Sequence, residues 1–242
     1  MKKETKENTF IKGITDGIPI CLGYLSVAFA FGIFAVSNGL TSAEAVLISM
    51  TNVTSAGQLA AVPIMVTGGT LIELALSQFI INLRYALMSV SLSQKFDKSV
   101  RLADRFIIAF INTDEVFAVA SSKNEVGKAY MFGLILTPYI GWSAGTAIGA
   151  IAGNILPAIV ISALGIAIYG MFIAIVVPPA RENKHILFCV ILAIILSCLF
   201  RYVPVLSKVQ SGFTIIICSV IASVAAALLF PVENGKEGEN EL

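Results

Sequence analysis

The chain consists mainly of long apolar runs separated by short polar stretches. About 20 apolar residues in helical conformation cross the roughly 30 Å hydrocarbon core of a bilayer, so each run is a candidate membrane segment. The runs cover roughly 17–37, 43–66, 70–93, 105–121, 129–153, 155–178, 185–203 and 211–231. They are continuous and rich in Leu, Ile and Ala, without the alternation of a transmembrane β-barrel. The pattern predicts an all-α, polytopic transmembrane helical bundle of about six to eight membrane segments, some broken or re-entrant.

No separate soluble domain fits between these segments. The longest hydrophilic interruption runs only from Gln94 to Arg105, and the composition is 57% hydrophobic against 13% charged residues. We therefore expect a polar, cytoplasmic amino-terminal tail at 1–12, one transmembrane domain at 13–231 and a polar tail at 232–242. The net charge of +1, with no concentrated basic segment beyond the first residues, gives no reason to expect a nucleic-acid partner.

Lysine and arginine residues in the short loops indicate how the segments cross the membrane. Short cytoplasmic loops are enriched in these residues, so the amino-terminal lysines place that end in the cytoplasm. If every segment crossed, the basic loop at 94–105 would face outward. If 43–66 and 105–121 each enter and leave on one side, this loop becomes cytoplasmic, together with 122–128, 180–184 and the carboxyl tail. We expect six spans and two re-entrant segments; the alternative is eight plain spans whose polar residues bond neighbouring helices.

Both suspected re-entrant segments carry polar residues at mid-depth. In the first these are Asn52, Thr54, Ser55, Gly57 and Gln58, and in the second Asn112, Thr113, Asp114 and Glu115. Non-helical backbone at membrane depth persists only where protein or water satisfies it, and transporters use such broken helices to build substrate sites. The small residues around Gln58 also fit close helix packing. The two segments are therefore candidate site elements.

The segment at 70–93 has polar side chains on two opposite faces when it is placed on a helix at 100° per residue. One face carries Glu73, Ser77, Arg84 and Ser91, and the other carries Gln78, Asn82, Tyr85 and Ser89. We expect this helix at the centre of the bundle or between two subunits. A lone guanidinium facing lipid would cost at least about 3 kcal/mol, so Arg84 is expected inside protein, beside a water-lined cavity or an acidic partner.

The expected partner of Arg84 is Asp114 or Glu115. Glu73 shares its helix face but lies roughly 16 Å away along the axis, too far for a direct pair. One interpretation is an ion pair that fixes helix register. The other is that Arg84 receives a substrate carboxylate while Asp114 or Glu115 receives an ammonium group or carries a proton. An amino acid would satisfy all of these charges.

The sequence lacks the motifs that are typical of several classes of protein function. The chain has no G-x4-G-K-[S/T] motif for ATP, and its single histidine, His185, lies at a predicted membrane edge. With no histidine cluster and no metal-binding cysteine spacing, we expect neither a metal nor a cofactor. Asp114 and Glu115 are adjacent and would point about 100° apart on a helix, which argues against a catalytic carboxylate pair. We therefore do not expect an enzyme.

Five stretches together carry a family resemblance. They are DGIPICLGYLSVAFAFGIFAVSNGL, SAGQLAAVPI, NLRYALMSVSL, NTDEVFAV and YIGWSAGTAIGAIAGNILP. In this order they resemble the AzlC/YgaZ family, the large subunits of branched-chain amino acid exporters, over about residues 13–180. The family pattern often has histidine where this chain has Tyr85.

The resemblance implies export of valine, leucine, isoleucine or methionine from the cytoplasm across the bacterial cytoplasmic membrane. It also implies a small membrane partner of the AzlD/YgaH type. For the site we predict that Arg84 binds the substrate carboxylate, with added hydrogen bonds from Asn82 and Gln58. Asp114 or Glu115 would hold the ammonium group or the proton, and Glu73 is a further candidate proton carrier. The alternatives are a non-transporting scaffold or regulatory subunit, and a transporter of small organic anions.

Overall fold

The computed structural model describes residues 8–157 and 176–231, together with the single positions 159, 170 and 173. These residues are mostly helical, and no strand occurs among them. The chain divides into two compact units, Met1–Ile168 and Tyr169–Leu242. The predicted segment 155–178 and the tail at 232–242 lie largely or wholly outside the described residues.

The first unit contains seven described helices and the second contains two complete ones. In the first they are α1 (Phe10–Ser37), α2 (Ser42–Thr51), α3 (Ser55–Val66), α4 (Leu71–Ser93), α5 (Leu102–Phe110), α6 (Asp114–Ser121) and α7 (Lys128–Gly153). In the second they are α8 (Lys184–Tyr202) and α9 (Ser211–Leu229), preceded by helical residues at 176–182. By length and composition α1, α4, α7, α8 and α9 can each cross a membrane. The prediction of an all-α membrane bundle is confirmed.

Polar residues mark the helix starts in the first unit. The Thr9 hydroxyl accepts from the Lys12 amide at α1, and the Thr70 hydroxyl accepts from the Glu73 amide at α4. Thr41 and Glu44 form a capping box at α2, in which each side chain accepts from the other residue's backbone amide. These caps bond amide groups that the first turn of a helix leaves unpaired.

Glycine residues bring α1 and α7 into direct backbone contact. A Cβ atom added at Gly149 would lie 2.0 Å from the Phe29 carbonyl oxygen, and one at Gly145 would lie 2.5 Å from that of Leu25. From the other side, a Cβ atom at Gly32 would lie 2.3 Å from the Thr146 carbonyl oxygen. The paired positions increase together along both helices, so α1 and α7 run parallel. Only glycine permits this approach.

Five helix ends meet at one end of the first unit, which we call the basic end. The Lys95 ammonium group donates to the carbonyls of Ser121 and Lys123 at the end of α6. The Lys123 ammonium group lies 3.9 Å from the Asp16 carboxylate of α1. Phe96 and Val126 form an isolated bridge. Lys128, which starts α7, pairs with Asp104 of α5 at 2.7 Å. Five helix ends therefore lie together: the start of α1, the end of α4, the start of α5, the end of α6 and the start of α7.

The two ends of α2–α3 lie at the opposite end. The Asn154 amide donates to the Ser42 hydroxyl at 3.1 Å, which places the start of α2 beside the end of α7. From there α2 returns along α7, because the Tyr139 hydroxyl donates to the Met50 carbonyl. Since α4 has 23 residues and ends at the basic end, it begins about 34 Å away, and a short connection there joins it to α3.

The segments 43–66 and 105–121 are therefore two broken hairpins that enter from opposite ends. The first is interrupted between Thr51 and Ser55, and the second between Phe110 and Asp114. The polar residues that the sequence placed at mid-depth fall at these breaks. The predicted breaks in these two segments are confirmed, and neither segment is one continuous helix. That each segment enters and leaves the membrane on one side stays a prediction.

Of the two positions predicted for α4, the centre of the bundle is wrong within this unit, and a place between two subunits stays a prediction. Among its residues only Glu73, Ser77 and Leu92 are buried. Its large exposed side chains include Leu76, Phe79, Leu83, Leu87 and Val90. These recur at helical spacing and form a third, apolar face between the two polar ones. The centre is instead occupied by α1 and α7, because their small residues allow the closest contact.

Labelling of single cysteines tests which end of the first unit faces the cytoplasm. From the charge rule we expect the basic end there, so Ser99→Cys in a cysteine-free chain should react with a membrane-impermeant maleimide only after the cytoplasmic side is opened. Thr67→Cys, at the opposite end, should react from outside in intact cells. Reaction of Ser99→Cys from outside would contradict this orientation. The cysteine-free parent chain serves as the control for labelling and accumulation.

The second unit is described by an antiparallel helix pair. The Cys189 thiol of α8 lies 3.7 Å from the Ala222 carbonyl oxygen of α9. Nearer the start of α8, the His185 ring lies 4.1 Å from the ring of Phe230. His185 thus packs against an aromatic ring at the edge of an apolar helix. This contact gives it a structural explanation.

Candidate functional site

Side chains of α4 bond the broken regions of both hairpins. The Asn52 amide donates to the Gln78 side-chain oxygen at 3.0 Å, and the Gln78 amide donates to the Gly57 carbonyl at 2.9 Å. Further along α4, the Ser89 hydroxyl accepts from the Asn112 amide at 3.0 Å. A break leaves backbone groups without helical partners, and amide side chains can replace them. Both breaks are therefore held beside the middle of one helix.

Arg84 forms an ion pair with Asp114. One guanidinium nitrogen lies 2.5 Å from a carboxylate oxygen of Asp114, and another donates to the Tyr85 hydroxyl at 3.0 Å. The guanidinium carbon also lies 4.7 Å from the centre of the Tyr85 ring. Asp114 begins α6, where the helix dipole favours a negative charge. The acidic partner expected for Arg84 is confirmed.

The pair is open rather than enclosed. The side chains of Arg84 and Asp114 are 49% and 48% exposed. The expectation that protein would enclose Arg84 is therefore wrong within this chain, because α4 lies at the edge of its unit. Each partner keeps free bonding capacity: the guanidinium group has five N–H donors and the carboxylate has two oxygens. Neither partner is enclosed by the described residues of this chain.

Glu115 is held by a tyrosine from α1. The Tyr24 hydroxyl forms a hydrogen bond with the Glu115 carboxylate. The Tyr24 hydroxyl oxygen also lies 2.5 Å from the Thr113 hydroxyl oxygen. A carboxylate only accepts, so the tyrosine donates its single hydrogen to Glu115. The ring of Tyr24 packs edge-on against Trp142 at 5.1 Å between centroids. Glu115 is itself exposed, whereas Tyr24 is buried.

Three predicted site residues lie elsewhere or only nearby. Gln58 is fully buried, and its amide donates to Ser49, whose hydroxyl contacts Thr146 of α7 at 2.5 Å. Glu73 is 1% exposed in the first turn of α4, far from Arg84 along the helix. Asn82 lies one turn from Gln78, with 3.4 Å between its amide nitrogen and the Gln78 oxygen. The structure thus groups Arg84, Asp114 and Glu115, whereas Asn82 lies on the face of α4 that carries Gln78.

Two tyrosines at this site are absent from the residues that the sequence predicted to be functional. Tyr24 lies within a long apolar run, and Tyr85 stood out only as part of a polar face. A hydroxyl group in the middle of an apolar membrane helix needs a partner, and that requirement was the available signal. The sequence does not reveal that Tyr24 bonds a residue some 90 positions away.

A cavity of about 260 Å³ lies between α4 and α5, on the basic-end side of the ion pair. Its walls are mostly apolar, with Ile108, Leu92 and Phe106 among them. Asn112 also lines it and has a buried side-chain oxygen without a hydrogen-bond partner among the described residues. Asn112 precedes Asp114 by two residues, so the cavity ends close to the charged group.

Comparisons with known proteins were consistent with one another. A family model described as AzlC protein matches residues 19–156. An "Uncharacterized membrane protein" of Archaeoglobus fulgidus is 30% identical over 241 residues, covering 99% of this chain and 100% of that protein. "Inner membrane protein YgaZ" of Escherichia coli (strain K12) is 29% identical over 196 residues, covering 77% and 79% of the two chains. An "Uncharacterized membrane protein" of Helicobacter pylori is 25% identical over 154 residues, covering 60% of this chain and 66% of that protein.

No solved structure matches the chain. All three relatives are named as membrane proteins, in agreement with the apolar helices described above.

Proposed function

The chain belongs to the AzlC family of multi-pass membrane proteins, and on that premise we propose that it is the transporting subunit of an amino acid exporter. Its cargo would be valine, leucine, isoleucine, methionine or a similar neutral amino acid, moved out across the cytoplasmic membrane. It would work with a small membrane subunit of the AzlD/YgaH type and be driven by protons. The observation that carries the proposal is the open Arg84–Asp114 pair, which lies beside Glu115 at the start of a broken helix.

The charges of the pair match those of an amino acid. A substrate carboxylate would accept from the Arg84 fork, while the substrate ammonium group would donate to Asp114. The substrate would thus replace the Arg84–Asp114 ion pair by two ion pairs of its own, so that Arg84, Asp114 and both substrate charges each have a partner. Tyr85 supports this role because it bonds the guanidinium group and lies under it, which fixes the direction of the fork.

The two hairpins suit alternating access. Transporters open a midplane site first to one side and then to the other, and they build it from discontinuous helices. Here one hairpin enters from each end, and the charged group lies at the break of the second. The α1–α7 pair supplies a fixed frame because its backbones touch. Movement of either hairpin against this frame would open one side of the site.

Efflux of radiolabelled valine tests this function directly. Preloaded cells that express the chain together with a small AzlD-type partner are expected to release valine faster than cells that express either protein alone. Immunodetection of both proteins in isolated membranes controls for expression. Absence of valine efflux with both proteins in the membrane would contradict the proposed cargo. In that case, release of small organic anions or of no solute would favour the anion transporter or the scaffold, respectively.

A further inference from the structure

We propose that Glu115 carries the coupling proton and that Tyr24 is the positioning residue that holds its carboxylate, while Asp114 serves as the counter-charge of Arg84. This inference rests on the proposed function. It divides the work between two adjacent carboxylates that the sequence could not distinguish.

The division follows from the different partners of the two carboxylates. Asp114 has a guanidinium nitrogen at 2.5 Å, whereas Glu115 has the neutral hydroxyl of Tyr24. With one cation and two carboxylates, the group has one negative charge in excess. Because Asp114 is bonded to the cation, the excess charge lies on Glu115. Glu115 is exposed, so a proton can reach its carboxylate, and uptake of one proton removes the excess charge.

The other helices that pack against α6 bring no second cation to Glu115 among the residues that the structure describes. From α4 the facing groups are Arg84, already paired, and Tyr85. From α1 the group is Tyr24, which is neutral as a hydrogen-bond donor. Titratable side chains of α7 bond elsewhere: Tyr130 donates to Asp16, Tyr139 to the Met50 carbonyl, and Lys128 pairs with Asp104.

Competition between a proton and an ammonium group would couple the two fluxes. The substrate ammonium group beside Asp114 is also attracted by the ionised Glu115 next to it. When a proton from the outside adds to a Glu115 oxygen, an O–H bond forms, the negative charge disappears and the substrate is held less tightly. After the site returns to the inside, the proton leaves to water and restores the carboxylate. Binding of either ligand thus weakens binding of the other, which is the reciprocity that exchange transport requires.

Tyr24→Phe in the reconstituted complex tests the positioning role. The variant keeps the ring that packs on Trp142 and removes only the hydroxyl group. Since that hydroxyl stabilises the ionised carboxylate, its loss should move the midpoint of the pH dependence of valine transport upward by about one pH unit. The matched control is Tyr139→Phe, which removes a tyrosine hydroxyl bonded to a backbone carbonyl. It should keep the wild-type midpoint.

Glu115→Gln tests the proton-carrying role in the same proteoliposomes. We expect loss of valine-coupled proton movement, measured with an internal pH dye, while exchange of labelled for unlabelled valine persists at a reduced rate. Asp114→Asn should lose both. Proton movement by Glu115→Gln, or an unchanged midpoint in Tyr24→Phe, would overturn the inference. If the wild-type complex exchanges valine without coupled proton movement, only the inference about Glu115 and Tyr24 is overturned. If it exchanges no valine at all, the proposed function is overturned as well.

Discussion

Arg84→Ala is expected to abolish valine efflux while the protein still accumulates in the membrane. If Arg84 binds the substrate as proposed, the substitution removes two charge-assisted hydrogen bonds to the substrate carboxylate, a loss of about 3 kcal/mol or roughly 150-fold in affinity. The Asp114 carboxylate loses its cation but remains half exposed, so water can solvate it and the fold should tolerate the change. Initial efflux rates, normalised to the amount of protein in isolated membranes, measure the effect.

A neutral double variant separates substrate binding from a structural ion pair. If Arg84 and Asp114 only fix helix register, Arg84→Gln combined with Asp114→Asn removes both charges together and should restore efflux lost in either single variant. If they bind an amino acid, the double variant should accumulate normally and still not export valine. Full efflux by Arg84→Ala would remove this residue from the site. Organic-anion transport retained by Asp114→Asn would indicate a cargo without an ammonium group.

Gly149→Ala is expected to destabilise the protein strongly, although it adds only one methyl group. Its Cβ atom would lie 2.0 Å from the Phe29 carbonyl oxygen, which is a backbone atom and cannot rotate away. The two helices must separate, and we expect the free energy of unfolding to fall by at least about 3 kcal/mol, the upper range for overpacking. Thermal unfolding of the purified protein in detergent and its amount in membranes are the measurements.

Gly23→Ala provides the matched control in α1. A Cβ atom there would meet no atom within 4 Å. Since alanine favours a helix over glycine by roughly 0.5–1 kcal/mol, this variant should be as stable as the wild type or slightly more stable. Equal stability of Gly149→Ala and Gly23→Ala would show that the close α1–α7 contact is absent from the protein.

The broken hairpins could be predicted because their signals are local. Charge in the loop around Lys95 and polar residues at Asn52 and Asn112 both follow from single stretches of sequence. The partner of Arg84 was also accessible, since few other charges lie well inside an apolar run. These predictions depend on the cost of placing polar groups in lipid, which one segment reveals without knowledge of its neighbours.

The positions of Gln58 and of α4 depended on distant contacts. Gln58 looked like a ligand-binding amide, but its partner Ser49 contacts Thr146, and nothing in the short motif indicates that helix. The sequence correctly predicts two polar faces on α4. It does not reveal that α4 packs on the hairpins with its polar side chains while Leu83 and the neighbouring apolar side chains stay exposed. Gly145 and Gly149 are four residues apart and so share one helix face, but this spacing does not identify α1 as the helix that packs there.

The parallel contact of α1 with α7 has a consequence for synthesis of the chain. Between the last residue of α1 and the last of α7 the ribosome adds more than a hundred residues, which takes on the order of 6 to 23 seconds at typical elongation rates. Throughout this interval the glycine face of α1 lacks the helix α7 that it packs against. The complete α1–α7 pair, against which both broken hairpins pack, is also absent. Neither hairpin can settle in lipid alone, because its broken backbone needs partners. The α1–α7 contact can therefore form only after α7 has been synthesised, so folding of the first unit is completed late.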